Sequence, residues 1–158
     1  MKKINSIIIL ALALSVCFAP RSAAERYVAD FKRLCLTEDD VSFISRAVRA
    51  ETRGENYLIK ACVAAMIFNR ISSDPRHSVK DAVFGEGTFP GGDRESVGEY
   101  VPKEELLEYT VLAKLIYEYG IDPTCGATVC LGEEDEIPDG YDVTISVEGR
   151  RFARARGS

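Results

Sequence analysis

An almost entirely apolar run constrains the fold of this chain more than any other feature. Residues Leu58 to Phe68 read LIKACVAAMIF, and Lys60 is the single charged side chain among them. A helix that is apolar all round is usually buried at the centre of a fold, because it has no polar face to turn to water. Asn56 can cap this helix, which we predict to run from about Tyr57 to Ile71. We therefore expect the other elements to pack around it.

A second, amphipathic helix is predicted just before the apolar run. Thr37 can cap its start, and the acid three residues later can complete a capping box. The helix runs from about Glu38 to about Thr52, and Gly54 supplies a stop signal. Its apolar side chains recur at helical spacing: Phe43, Ile44, Ala47 and Val48.

Glu51 occupies the next position along this apolar stripe. A carboxyl group that continues an apolar face is partly desolvated, which favours its protonated form near neutral pH. A protonated carboxyl group is what a general acid requires. The same pattern also fits a solvated or capping glutamate near a helix end, and by itself it favours that structural interpretation.

The first 24 residues have the organisation of a secretory signal peptide. Lys2 and Lys3 precede an apolar run from Ile4 to Ala19, and small residues lead to a predicted cleavage after Ala24. The run is short for a membrane-spanning helix, which needs about 20 apolar residues. An uncleaved anchor is the alternative. Lipid attachment at Cys17 is disfavoured because a valine precedes it where a small residue is needed.

Residues 25–158 are then predicted to form one domain with a core at about 38–154, since 134 residues suit a single core. The whole chain carries a net charge of −5, and loss of three basic residues with the signal peptide leaves −8. An acidic domain is a poor candidate for nucleic-acid binding. No second apolar stretch predicts a membrane span. The sequence leaves the periplasm, the cell envelope and the extracellular space open as locations.

Four cysteines remain after residue 24. An even number in an exported protein favours disulfides, and we predict Cys125 with Cys130 by proximity and then Cys35 with Cys62. The alternative is that Cys62, inside the apolar helix, is a buried free thiol. His77 is the one histidine, so neither a cysteine–histidine enzyme nor a zinc site is expected.

The rest of the chain predicts two more helices and a small sheet. The helices are expected at 78–84 and, after Pro102, up to Tyr119. Alternating apolar residues predict a strand at 141–147, Glu148-Gly149 is a candidate hairpin turn, and 150–154 would be the returning strand. A further strand is expected at 127–131. The expected fold class is therefore α+β, a mostly helical single domain with a small antiparallel sheet near the C-terminus.

Four blocks of this sequence resemble a known family. Residues 46–55, RAVRAETRGE, resemble the AEARGE signature of the SleB-type cell-wall hydrolases, which include spore cortex-lytic enzymes. The other blocks follow in the family's order: VAAMIFNR at 63–70 resembles VAAVVLNR, GIDPTCGA at 120–127 resembles DPTGGA, and VTISVEGRRF at 143–152 resembles the closing strand pair. The match spans about residues 40–154.

The resemblance implies a lysozyme-like catalytic domain that acts on peptidoglycan between N-acetylmuramic acid and N-acetylglucosamine. It implies no metal and no organic cofactor. Family enzymes are lytic transglycosylases whose products end in 1,6-anhydromuramic acid, and their catalytic acid maps onto Glu51. One carboxyl group can then serve as acid and base, which agrees with a single good candidate in the sequence. Glu55 is either a second carboxylate or a structural partner of Arg49 or Arg53.

The substrate-binding candidates come from the matched blocks and from the glycine-rich segment 85–93, whose glycines do not fit a nucleotide-binding pattern. They are Glu55, Asn69, Phe89, Thr124, Gly126 and Thr128. Phe89 could stack on a sugar or pin its loop to the core. The chain departs from the family where Cys125 replaces a glycine and where the acidic run 133–136 follows. These departures keep open the alternative of a catalytically silent envelope or peptidoglycan-binding protein.

Overall fold

A computed structural model describes residues 29–74, 76–85 and 94–157, with the side chain of Arg94 left out. The predicted signal peptide and Phe89 lie outside the described residues. After a short 3-10 helix at Phe31–Leu34, the helices are α1 (Glu38–Thr52), α2 (Tyr57–Ser73), α3 (Val79–Phe84), α4 (Arg94–Gly98) and α5 (Lys103–Tyr119). The strands are β1 (Val129–Gly132), β2 (Tyr141–Val147) and β3 (Arg150–Ala155).

Helix α2 is the centre of the molecule, as its sequence predicts. Every residue from Cys62 to Phe68 has a relative exposure of 0%. Helices α1, α3 and α5 and strand β1 all contact α2, and α1 also packs against α5. The ring of Phe68 lies between those of Phe31 and Tyr117, with centroid distances of 5.2 and 5.9 Å. The helix continues two residues beyond its predicted end, to Ser73.

The start of α1 carries the predicted capping box. The Thr37 hydroxyl accepts a hydrogen bond from the Asp40 amide at 3.2 Å, and the Asp40 carboxylate accepts one from the Thr37 amide at 2.9 Å. Both bounds of α1 match the prediction. The cap fixes where α1 begins, and Glu51 lies in the last turn of this helix.

The three strands form an antiparallel sheet in the order β1-β3-β2. Glu148 and Gly149 turn the β2–β3 hairpin with φ values of 45° and 81°, as expected of a two-residue turn of the primed type. β3 is the central strand, and Phe152 and Ala153 on it are fully buried. The predicted α+β domain with a small C-terminal sheet is confirmed. Helix α4 has no counterpart in the prediction.

Neither predicted disulfide is present, because all four described cysteines are free thiols. Cys35 is exposed at the end of the 3-10 helix, whereas Cys62 has no exposure inside α2, so one thiol lies on the surface and the other in the core. Cys125 lies in a turn at φ 54°, and the sulfur of Cys130 faces Arg150 instead. Proximity in sequence failed as a guide because the backbone directs these side chains into different surroundings.

Among the helices of the described residues, none combines the length and apolar character needed to cross a bilayer.

Candidate active site

Glu51 lies in the last turn of α1, and its side chain is only 6% exposed. Gly54, at φ 84°, adopts a left-handed conformation that turns the chain out of the helix. Glu55 follows directly, with a side chain 30% exposed. The turn places the two carboxyl groups on the same side of the helix end, facing the sheet.

Arg150 joins these two carboxyl groups. Its Nη1 donates to Glu51 Oε1 at 2.6 Å, and its Nη2 donates to the backbone oxygen of Glu51 at 3.0 Å. Its Nε and Nη2 also donate to Glu55 Oε1 at 3.2 and 2.9 Å. Arg150 is the first residue of β3, 99 positions from Glu51, so the hairpin delivers the guanidinium to the end of α1.

The cluster of Glu51, Glu55 and Arg150 contains two acids and one base. It has a formal charge of −1 when both acids are ionised and zero when one of them holds a proton. Burial opposes the charge of Arg150, but the hydrogen bonds that it donates to Glu51, Cys130 and Glu55 outweigh this effect and raise the pKa of the guanidinium. Arg150 therefore keeps its positive charge in this cluster.

The surroundings of Glu51 differ from the expected apolar pocket. The side chain is buried, as the apolar stripe predicts, but the guanidinium of Arg150 lies against it at 2.6 Å. Glu55 Oε2 is buried and has no hydrogen-bond partner among the described residues. That oxygen is an acceptor whose hydrogen-bonding capacity is not used by the described residues.

Cys130 closes the cluster on the side of β1. Its sulfur lies 3.7 Å from Arg150 Nη1. Burial raises the pKa of the Cys130 thiol, although the hydrogen bond from Arg150 opposes this effect. Cys130 is therefore expected as a neutral thiol rather than a thiolate nucleophile.

Asn69 joins two of the four resemblance blocks. Its Nδ2 donates to Asp122 Oδ2 at 3.1 Å, to Thr124 Oγ1 at 3.2 Å and to the backbone oxygen of Ala127 at 3.2 Å. Asp122 in turn accepts hydrogen bonds from the amides of Thr124 and Gly126. The network holds the turn after α5 against the end of α2.

Asn69 and Thr124 lie inside this network, and their predicted role in binding substrate stays a prediction. Asn69 is 7% exposed and Thr124 is 0% exposed, and both side chains bond within the protein. Gly126 contributes its backbone at φ 86°, with its amide on Asp122. Thr128 is bonded through its backbone, with its amide donating to Ala153 and its carbonyl accepting from Arg70.

A cavity of about 860 Å³ opens beside this region. Its lining includes both aromatic and charged side chains: Phe43, Arg70, His77, Lys80, Asp81, Phe84, Gly85, Val97 and Gly98. Arg70 Nη1 donates to Thr128 O at 3.2 Å, while Arg150 contacts Cys130 two residues further along the same segment.

Sequence reasoning missed Arg150 as a site residue. The block that contains it predicts only a strand pair, and nothing local distinguishes Arg150 from Arg151. The end of α1 does not predict a partner 99 residues away. Among the described residues, no group of three or more His, Cys, Asp or Glu side chains is arranged to hold a metal ion.

Comparison with models of protein families gives no match, and comparison with curated proteins gives none. Comparison with solved structures matches the crystal structure of the catalytic domain of the SleB protein of Bacillus cereus. The TM-score is 0.59 at 23% identity, and the match covers 75% of this chain and 91% of that one. The fold implied by the four sequence blocks is therefore confirmed: this chain has the fold of the SleB catalytic domain.

Proposed function

We propose that this protein cleaves peptidoglycan glycan strands between N-acetylmuramic acid and N-acetylglucosamine, as a lytic transglycosylase with Glu51 as its acid and base. One observation carries the proposal: a buried glutamate at the end of α1 shares the guanidinium of Arg150 with a second carboxyl group, in a SleB-like fold. The predicted signal peptide would export the protein to the periplasm, cell envelope or extracellular space, where this substrate is found.

The chemistry needs one proton transfer in each direction. Protonated Glu51 gives its proton to the glycosidic oxygen as the bond to the muramyl C1 breaks, and positive charge develops on the sugar ring. The 6-hydroxyl group of the same muramyl residue then attacks C1. The Glu51 carboxylate takes the hydroxyl proton, so the product is a 1,6-anhydro sugar and the enzyme regains its starting state.

Arg150 and Glu55 let a protonated Glu51 exist at the end of α1. When Glu51 holds a proton, Arg150 and Glu55 form a neutral pair 2.9 Å apart, and the buried cluster has no net charge. When Glu51 is ionised, the guanidinium stabilises it as the base. Glu55 therefore balances the charge of Arg150 in the state in which Glu51 is neutral.

Digestion of peptidoglycan sacculi tests this function. Purified protein should release anhydromuropeptides, detected by mass spectrometry, and Glu51→Gln should release none. Glu55→Gln is the matched control one turn away, and we expect it to retain activity reduced about tenfold or more. Products with ordinary reducing ends would make the protein a hydrolase. Undiminished cleavage by Glu51→Gln would remove Glu51 from the mechanism.

A second function is favoured by the ion pair itself. Arg150 lies 2.6 Å from Glu51, and a carboxyl group engaged by a guanidinium is not free to approach a glycosidic oxygen. If the pair does not open, the protein is a silent envelope protein that binds peptidoglycan. Sedimentation of the protein with sacculi, with no muropeptide released, would favour this function over cleavage.

A further inference from the structure

The guanidinium of Arg150 presents a different edge to each of its two acids. Its end edge faces Glu51, where Nη1 donates to Oε1 at 2.6 Å and Nη2 donates to the backbone oxygen at 3.0 Å. Its side edge faces Glu55, where Nε and Nη2 both donate to Oε1, at 3.2 and 2.9 Å. The donor Nη2 is therefore shared between the two residues.

The pair with Glu55 uses only one of the two carboxylate oxygens. Glu55 Oε2 is buried and has no hydrogen-bond partner among the described residues. An arginine and a carboxylate pair most strongly through two parallel bonds, one to each oxygen. The terminal torsion of a glutamate side chain has a broad energy minimum, so a turn of this carboxylate can bring Oε2 onto the Nε–Nη2 edge. Glu55 can therefore bind Arg150 more tightly than it does in this arrangement.

Burial makes a second acid necessary whenever Glu51 leaves Arg150. The side chain of Arg150 is 18% exposed, and a buried guanidinium that loses its anion strongly destabilises a protein. Of the described residues, Glu51 and Glu55 are the acids that pair with Arg150. The third contact, Cys130, is a thiol whose pKa is raised by burial, so it supplies no negative charge. Glu55 is thus the acid that remains beside the guanidinium.

Release of Glu51 is a step that the proposed function requires. A general acid must come within hydrogen-bond reach of the oxygen that it protonates, whereas Glu51 Oε1 lies 2.6 Å from Arg150. We propose that Glu55 is a positioning residue, which takes up Arg150 with both carboxylate oxygens as Glu51 turns to the substrate. This role rests on the proposed function. Glu55 then acts on the reaction through Arg150 and does not contact the sugar.

Unfolding of the purified protein tests this exchange without any cleavage. Glu55→Gln should lower the equilibrium constant for folding at least about tenfold more in a Glu51→Gln background than in the wild type, because only there does Arg150 lose its last anion. Urea denaturation at pH 7 measures both effects. A double variant that does not fold, when both single variants do, is the same result. Additive effects of the two substitutions would overturn the proposal.

Glu105→Gln is the matched control for the unfolding measurement. Glu105 pairs with the buried Arg49 at 2.7 Å and has no contact with Arg150 among the described hydrogen bonds and ion pairs. Its substitution should therefore have the same effect in the wild type and in the Glu51→Gln background.

Steady-state kinetics on soluble glycan fragments separate positioning from direct contact with the substrate. Glu55→Gln should lower kcat about tenfold and change KM less than about twofold, and Glu55→Asp, which keeps both oxygens, should recover part of the loss. In an Arg150→Met background, Glu55→Gln should cause no further loss of kcat. A further tenfold loss there, or a rise in KM alone, would assign Glu55 to sugar binding and overturn the proposal.

The proposed catalysis and the role of Glu55 fail separately. Sacculi left intact by the wild type reject the catalysis, while the unfolding measurement still decides whether Glu55 takes up Arg150. Cleavage by the wild type with additive unfolding effects rejects the role of Glu55 alone. If Arg150→Met does not fold, the two Glu55 variants decide the kinetic test, and equal kcat values for Glu55→Asp and Glu55→Gln would overturn the proposal.

Discussion

The guanidinium of Arg150 donates hydrogen bonds to two carboxyl groups at once, those of Glu51 and Glu55. It uses Nη1 and Nη2 for Glu51 and Nε and Nη2 for Glu55, so the planar fork is fully engaged. Arginine suits this position because five donors in one plane can serve both acids. Lysine has the same charge but cannot reproduce this geometry.

Replacing Arg150 with methionine should therefore destabilise the fold. Two carboxyl groups would be left beside each other without a cation, and we expect a loss of about 2–4 kcal/mol in the free energy of unfolding. Arg150→Lys should lie between the wild type and Arg150→Met. Urea denaturation measures the differences.

Arg156→Met is the matched control for Arg150. Arg156 forms an exposed pair with Asp142 at 2.9 Å, and exposed pairs contribute about 0–1 kcal/mol. Equal losses for Arg150→Met and Arg156→Met would contradict the central role of Arg150.

Glu108 and Lys60 form a second non-local pair, at 2.7 Å, with a Lys60 side chain only 8% exposed. Burial opposes ionisation of Glu108, but the hydrogen bond and charge of Lys60 outweigh it and lower the pKa of Glu108. A carboxyl group whose pKa is lower in the folded state stabilises the fold above its unfolded pKa of about 4.3. That contribution is lost as the pH falls through the folded pKa.

Glu108→Gln should therefore cost about 1 kcal/mol at pH 7, a modest value because Glu108 is 38% exposed. The difference between wild type and variant should shrink as the pH falls below about 5 and vanish below the folded pKa. Urea denaturation from pH 7 to pH 3 measures it. A difference that stays constant over this range would show that the charge of Glu108 is not the cause.

At the level of elements, the end of α2 is fastened to the turn after α5. Asn69 supplies one amide group to three acceptors of that turn, and the turn then leads directly into β1. Because β1 pairs with β3, this network also sets where β3 begins. Asn69 thus positions Arg150 indirectly, through two elements.

Asn69→Ala should therefore cost about 2–3 kcal/mol of unfolding free energy, since buried acceptors lose their donor. Asn69→Asp should cost more, because it places a second carboxylate against Asp122. Ser73→Ala, which removes an exposed hydroxyl near the same helix end, is the control and should cost less than about 0.5 kcal/mol. Thermal or urea unfolding compares the three variants, and a small loss for both Asn69 variants would refute this anchoring role.

At the level of the whole molecule, the reactivity of each cysteine depends on whether it lies in the core or on the surface. Burial raises the pKa of Cys62 to about 12, and the neighbouring Asp122, Cys130 and Cys125 act in the same direction. Thiolates are the reactive form of cysteine, so Cys62 should resist alkylation. Cys35 is exposed and should react readily.

Iodoacetamide labelling of the native protein, mapped by peptide mass spectrometry, should modify Cys35 first and leave Cys62 and Cys130 unmodified. Unfolding in urea should make all of them reactive. The midpoint of thermal unfolding should not change when a reductant is added. A disulfide between any two of these four cysteines, or a lower midpoint in reductant, would contradict the free-thiol state.

The elements of this protein were largely predictable from sequence because their signals are local. The apolar run predicts the central helix, and Thr37, Asn56 and Gly54 mark helix ends through contacts within one turn. Alternation and the Glu148-Gly149 turn predict the hairpin for the same reason. The burial of Glu51 follows from its place on the apolar stripe of α1.

The partners of these residues were decided by the tertiary structure alone. Periodicity buries a side chain but does not say which group will face it, because that depends on how distant elements pack. The bond from Arg150 to Glu51 and the bonds from Asn69 to Asp122 and Thr124 cross large sequence separations. The separation of the cysteines likewise follows from backbone direction rather than spacing. Sequence therefore determined where Glu51 lies, and packing decided the charge beside it.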